Sequence, residues 1–310
     1  MRRCADSPPG RIIPMTIATA AAAPRPLFGI LLIVFATLAF AAGDVVTKHL
    51  AATQPVAVIY AVRYLINVAL LTVFLGPRLG VRLWRVERRW LVFVRGLCLA
   101  LASYTLGLAL RVMPVGETIA IIYLAPFAVM LLAIPLLGER VGTIGWIGAS
   151  VGFAGVLLIV RPGGGLDPLG VTFALINAGL GTAYHLLTRK LARSESTVAL
   201  LYQTAIVGSV FFCILSLGAL EGLNLGLVDF ALMALLGLLA TLGHFLFTAA
   251  YREAPASLLA PINYLHLVWA GGLGLLVFGH LPDAVSLVGM ALVCVAGAVA
   301  AFTVRPRPVE

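Results

Sequence analysis

The residues able to do chemistry in this chain are few, because most of it is apolar. Arg63 stands in PVAVIYAVRYL, flanked by apolar side chains and two tyrosines. Asp44 and Lys48 are spaced i,i+4 in AAGDVVTKHL with the acid first, the favourable order for a helical ion pair. His185 and Arg189 repeat that spacing further on. Glu117 follows Pro114 by three residues, where a carboxylate either complements the positive end of a helix or takes part in proton exchange. Tyr123 and Tyr264 lie inside long apolar runs; Asn263, His266 and Trp269 surround the second, and His244 stands alone in another run. Such groups bind, orient and exchange protons. They do not make a catalytic centre, which would need a converging nucleophile, base and acid or a metal cluster such as HExxH. Gly148 to Gly152 fits the G-x-S-x-G elbow, but that motif works only on a turn between strand and helix. The sequence lacks the P-loop GxxxxGK[ST], and the four cysteines have no metal-ligand spacing. Neither cofactor nor metal is expected.

The elements that position these residues are helices in a bilayer. The chain is 62% hydrophobic and 11% charged, too little polar surface to cover a soluble globule. A net charge of +9 would suit nucleic acid only if the basic residues shared one solvated face, and here they are scattered between apolar runs. At about 20 apolar residues per crossing, ten transmembrane helices are expected near 27–48, 56–76, 90–110, 115–137, 142–160, 168–188, 197–219, 229–250, 256–278 and 284–303. Arg63 then lies about eight residues, roughly 12 Å, inside the second of them. A charge at that depth is costly and marks a functional candidate. Pro126 and Pro135 fall inside the fourth helix and Pro261 inside the ninth, where a missing donor kinks the backbone. Gly145, Gly148, Gly152 and Gly155 make one smooth face on the fifth.

A shift of 141 residues lays the chain on itself. Gly29 falls on Gly170, Lys48 on Arg189, Gly96 on Gly237, Arg111 on Arg252, Tyr123 on Tyr264, Gly138 on Gly279 and Gly148 on Gly289. The units are 1–26, a disordered basic tail, then 27–167 and 168–308, each holding five helices. Five is odd, so the second copy enters the membrane from the opposite side. Inverted repeats of this kind build secondary transporters, with the substrate held near the midplane. With the N-terminus inside, sixteen Lys and Arg fall in inner segments and three, Lys48, Arg111 and Arg161, in outer ones. The positive-inside rule therefore puts both termini in the cytoplasm. On this topology Asp44 and Lys48 sit at the outer end and His185 and Arg189 at the inner, as two gates.

Leu137-Gly138-Glu139-Arg140-Val141, Gly152-Phe153-Ala154-Gly155-Val156 and Arg161-Pro162, with Asp44, Lys48 and Arg63 upstream, resemble the EamA repeat of the drug/metabolite transporter superfamily. The resemblance runs over roughly 27–305, towards a branch that includes bacterial S-adenosylmethionine and riboflavin carriers and metabolite exporters. It implies an all-α polytopic protein of the bacterial inner membrane that moves a small polar or amphipathic metabolite by alternating access. Its partners would be the lipid bilayer, a small-molecule substrate and possible coupling protons, which Asp44, Glu117 or a histidine would carry; facilitated exchange fits the same residues. The other reading is a membrane-embedded enzyme acting on lipid or peptide. One departure concerns Glu139: second repeats of the family often keep an acid there, and this chain has His280. The copies also differ at Glu117/Leu258 and Ala125/His266, the first places to seek specificity and coupling.

Overall fold

The computed structural model describes residues 26–137, 143–161, 165–191, 194–221, 223–254, 259 and 262–303. The basic tail, Gly138, Glu139, Arg140, Pro255, Leu258 and Pro261 lie outside them, as do the expectations that rest on those residues. The chain folds into helices α1 (Pro26–Ala51), α2 (Val56–Leu79), α3 (Arg89–Val112), α4 (Val115–Ile122), α5 (Leu124–Leu137), α6 (Thr143–Val160), α7 (Pro168–Leu191), α8 (Thr197–Ser216), α9 (Leu227–Glu253), α10 (Leu265–Phe278) and α11 (Ala284–Thr303). The described apolar runs are helical because hydrocarbon leaves the backbone no outside partner and the helix satisfies it internally. Among the described residues, five helices are long and apolar enough to cross a bilayer. Large apolar side chains cover the outside, among them Leu227 at 86% and Leu276 at 80% exposure, a surface that belongs against lipid. This is a multi-pass, all-α membrane protein.

One expectation is corrected. The fourth helix, expected unbroken over 115–137, is interrupted at Tyr123. Pro126 explains it: the carbonyl of Ile122, four residues earlier, meets a ring where a donor should be. The ninth helix is interrupted at the repeat-related place. Asn263 and Tyr264 form a turn between helical Ile262 and α10, although Pro261 does not stand four residues beyond the break.

Packing follows the repeat. Helix α1 lies along α9, and α7, the repeat mate of α1, lies along α3, the mate of α9. The pairs α3 with α8 and α2 with α9 are related in the same way, while α2 with α8 and α6 with α11 pair mates with each other. Glycines permit the approach. A Cβ on Gly96 would come within 3.0 Å of the Val207 Cβ, and one on Gly237 within 2.7 Å of the Ile66 Cβ; Val207 and Ile66 are also 141 apart. Gly29 meets Ala250 and Ala254 of the α9 end, and Gly170 meets Val112 and Met113 of the α3 end, again related contacts. The α6 glycine face does what its spacing suggests: Gly155 and Gly289 abut at backbone distance, and Gly152 seats the Phe127 ring.

Candidate functional site

Three polar constructions lie inside the apolar bundle. The first is a cavity of about 210 Å³ enclosed by α2, α3, α7, α8 and α9, so both halves of the chain contribute. Arg63, Tyr64 and Asn67 line it from α2, and Thr241, His244 and Thr248 from α9, with Tyr184 and Thr204 closing the polar end. Leu71, Leu75, Leu99, Val198, Leu201 and Phe245 form an apolar portion. The polar residues fall on α2 at 63, 64 and 67, one face of one turn, which is why they converge. Arg63 is flanked by the rings of Tyr60 and Tyr64, each 5.1 Å from its guanidinium carbon, and its Nε is buried without a partner. Tyr64 is fixed by a 2.9 Å bond to the Ser103 hydroxyl. The Asn67 amide donates to Thr241 Oγ1 and to the Gly237 carbonyl, tying α2 to α9.

Behind the polar wall lies Arg95, which the sequence reading left aside and which is 3% exposed. Its Nε donates to Thr188 Oγ1, its Nη1 to Thr204 Oγ1 and the Leu200 carbonyl, and its Nη2 to the Tyr184 hydroxyl, at 2.7 to 3.2 Å. Four bonds and the Tyr184 ring at 4.4 Å satisfy this cation, so it braces α3 against α7 and α8. A charge six residues inside a helix was the available signal.

The second construction is the meeting of the two helix breaks. The rings of Tyr123 and Tyr264 pack with centroids 4.9 Å apart, and the Tyr123 hydroxyl donates to the Asn263 carbonyl at 2.8 Å. A tyrosine from one half thus satisfies a backbone acceptor freed by the break in the other. The two rings pack directly on each other. Just beyond, His266 Nε2 lies 2.9 Å from Asp44 Oδ2, both side chains largely buried. The expected Asp44–Lys48 pair is corrected accordingly. Lys48 instead donates to the carbonyls of Leu110 (3.0 Å) and Met113 (2.7 Å), where the end of α3 leaves acceptors open. Tertiary partners outbid the local i,i+4 neighbour because both groups turn inward from α1.

The third is a pocket of about 10 Å³, room for one water-sized group, between Lys48, Glu117, Phe278 and His280. Glu117 Oε1 is 3.0 Å from His280 Nε2, and Oε2 is buried with no partner. Glu117 does sit in the first turn of α4, and it also holds the loop after α10. His185 is exposed on α7 with its ring edge-on to Tyr184 at 5.3 Å, apart from all three constructions. Of the sequence candidates, then, Arg63 and His244 share the cavity, Asp44 pairs with His266, Tyr123 with Tyr264, and Lys48 and Glu117 share the small pocket. Among the described residues no three His, Cys, Asp or Glu side chains group to hold a metal.

A polytopic helical bundle with a largely apolar cavity carrying a few polar groups is the architecture, and the transporter class comes from the proteins it resembles. Residues 27–161 match the EamA-like transporter family. The chain is 28% identical to a riboflavin transporter of Rhizobium johnstonii over 87% of its own length and 89% of that protein's. It is 27% identical to a pseudopaline exporter of Pseudomonas aeruginosa (86% and 94% covered) and 27% identical to an S-adenosylmethionine uptake transporter of Rickettsia bellii (67% and 71%). A solved crystal structure at 21% identity superposes with a TM-score of 0.62, covering 89% of this chain and 95% of that one, and shows the same fold.

Proposed function

We propose that the protein is a secondary carrier of the bacterial inner membrane that moves a small polar or amphipathic metabolite by alternating access of two inverted halves, 27–167 and 168–308, with both termini cytoplasmic. The observation that carries this reading is the cavity of about 210 Å³, whose polar end is built from Arg63 of the first half and Tyr184, Thr204, Thr241 and His244 of the second. A site divided between two bodies changes its access when they rock against each other. The exchange of packing partners between related helices supports the twofold plan. The substrates named for the relatives, from riboflavin to S-adenosylmethionine, support a small metabolite as cargo.

Two carboxylate–imidazole pairs, Asp44 with His266 and Glu117 with His280, supply proton-exchanging groups within the barrier, which favours protons as the coupling ion. Counterflow in proteoliposomes tests the carrier. Vesicles loaded with unlabelled metabolite should take up labelled metabolite faster than empty vesicles, and uptake no faster than in protein-free liposomes across the relatives' three substrates and a general metabolite panel would end the reading. Collapse of the pH gradient should abolish net accumulation and spare exchange; unaffected accumulation would remove the protons.

A further inference from the structure

The cavity holds one cation that no described acidic residue pairs with. Arg63 donates no side-chain hydrogen bond to any described residue, its Nε is buried and unbonded, and no Asp or Glu lines the space around it. Asp44, the acid on neighbouring α1, is engaged by His266. A guanidinium held between two aromatic rings in a low-dielectric cavity is a poor resting arrangement unless an anion visits it. We propose that the substrate carries a single carboxylate on an apolar body, with the carboxylate docking on Arg63. This rests on the carrier reading above.

The neighbours fix the charge and shape of the ligand. Arg95 is positive too, but its donors are spent on Thr188, Thr204, Tyr184 and the Leu200 carbonyl, so it offers the ligand no hydrogen bond. It acts through Tyr184, whose hydroxyl accepts from Arg95 and keeps its own proton to donate into the cavity. One available fork therefore matches a planar monoanion, bound bidentately, whereas a phosphate dianion would bring a second charge with no partner. An amine would set a cation against Arg63 with no acid nearby. Leu71, Leu75 and Leu201, further along α2 and α8, then take the apolar body.

The test uses the full-length protein in lipid nanodiscs with four probes that differ only in the head group: 4-phenylbutyrate, 4-phenylbutyramide, 4-phenylbutylamine and 4-phenylbutyl phosphate. Thermal shift and calorimetric titration are read for the natural protein and for Arg63→Gln and Arg63→Lys. The carboxylate should raise the melting temperature and bind best of the four. Its affinity should fall about tenfold or more in Arg63→Gln, as expected on losing a charge-assisted bond, and by less in Arg63→Lys, which keeps the charge and loses the fork. Should Arg63→Gln not fold, the Arg63→Lys loss alone decides, and unchanged carboxylate affinity there overturns the proposal. Preference for the amine, amide or phosphate, or carboxylate binding kept in Arg63→Gln, also overturns it and leaves the carrier intact. Binding of none of the four, together with counterflow that fails, brings down the carrier reading as well.

Discussion

His266 and Asp44 are 222 residues apart in sequence and 2.9 Å apart in the fold, and their repeat mates, Ala125 and His185, cannot make the same bond because Ala125 has no polar side chain. The Glu117–His280 contact likewise joins two positions at which the copies have diverged. Two of the polar differences between the sequence copies thus involve residues that touch each other.

Asp44→Asn and His266→Gln should each slow counterflow by about tenfold or more, and the double variant should be little worse than either single one, because the two residues act as a unit. Losses that multiply in the double variant would show that they work separately.

Gly297 lies against the Tyr264 ring, so that a Cβ at that position would overlap the ring atoms. Tyr264 also packs against Tyr123, which limits its freedom to move. Gly297→Ala should destabilise the protein by about 1–3 kcal/mol, the usual cost of overpacking. Gly272→Ala in α10 meets nothing within 4 Å and should be neutral or slightly stabilising. Equal melting temperatures for the two variants would contradict the close contact.

Lys48→Met keeps most of the side-chain volume and removes the donor that serves the Leu110 and Met113 carbonyls. A loss of about 1–3 kcal/mol is expected from the unsatisfied acceptors. Cysteine labelling near the α3 end should report faster access there in the variant. Unaltered labelling and melting would show that the lysine fastens nothing.

Asp283 stands outside the membrane-spanning helices at the start of α11. It accepts from the backbone of Val285 and Ser286 and from Arg161 Nη2 at 2.8 Å. The Ser286 backbone bond, helped by Arg161, holds its carboxyl down at about 2, from an ordinary 3.8. A depressed carboxylate stabilises the fold above its unfolded value and loses that effect as pH falls from there through the folded one. The difference in melting temperature between the natural protein and Asp283→Asn should therefore be constant from pH 8 to 5 and close between about pH 4 and 2. A difference that changes near pH 6 would mean another group is responsible.

The all-α, many-helix architecture was legible because apolar length survives in sequence whatever the helices later touch. Tyr123 and Tyr264 were recognised as related, but not as the residues at which both helices break. The Pro126 signal pointed one turn too far along, and the second break has no proline at the matching distance. The Asp44–Lys48 pair was misread for a different reason: spacing reports which groups can meet along one helix, and says nothing of His266 arriving from another. Arg95 stands within a helix by sequence, but its role was not legible because its partners Thr188, Thr204 and Tyr184 are common residues on other helices.

The matched glycine contacts give the molecule an experimental property of its own. Gly96 against Val207 and Gly237 against Ile66 are the same joint built twice in one chain, as are Gly29 against the α9 end and Gly170 against the α3 end. A substitution at one joint therefore has an internal replicate at the other, measured in the same membrane and the same sample. Any difference between the two results isolates what the surroundings of each joint contribute.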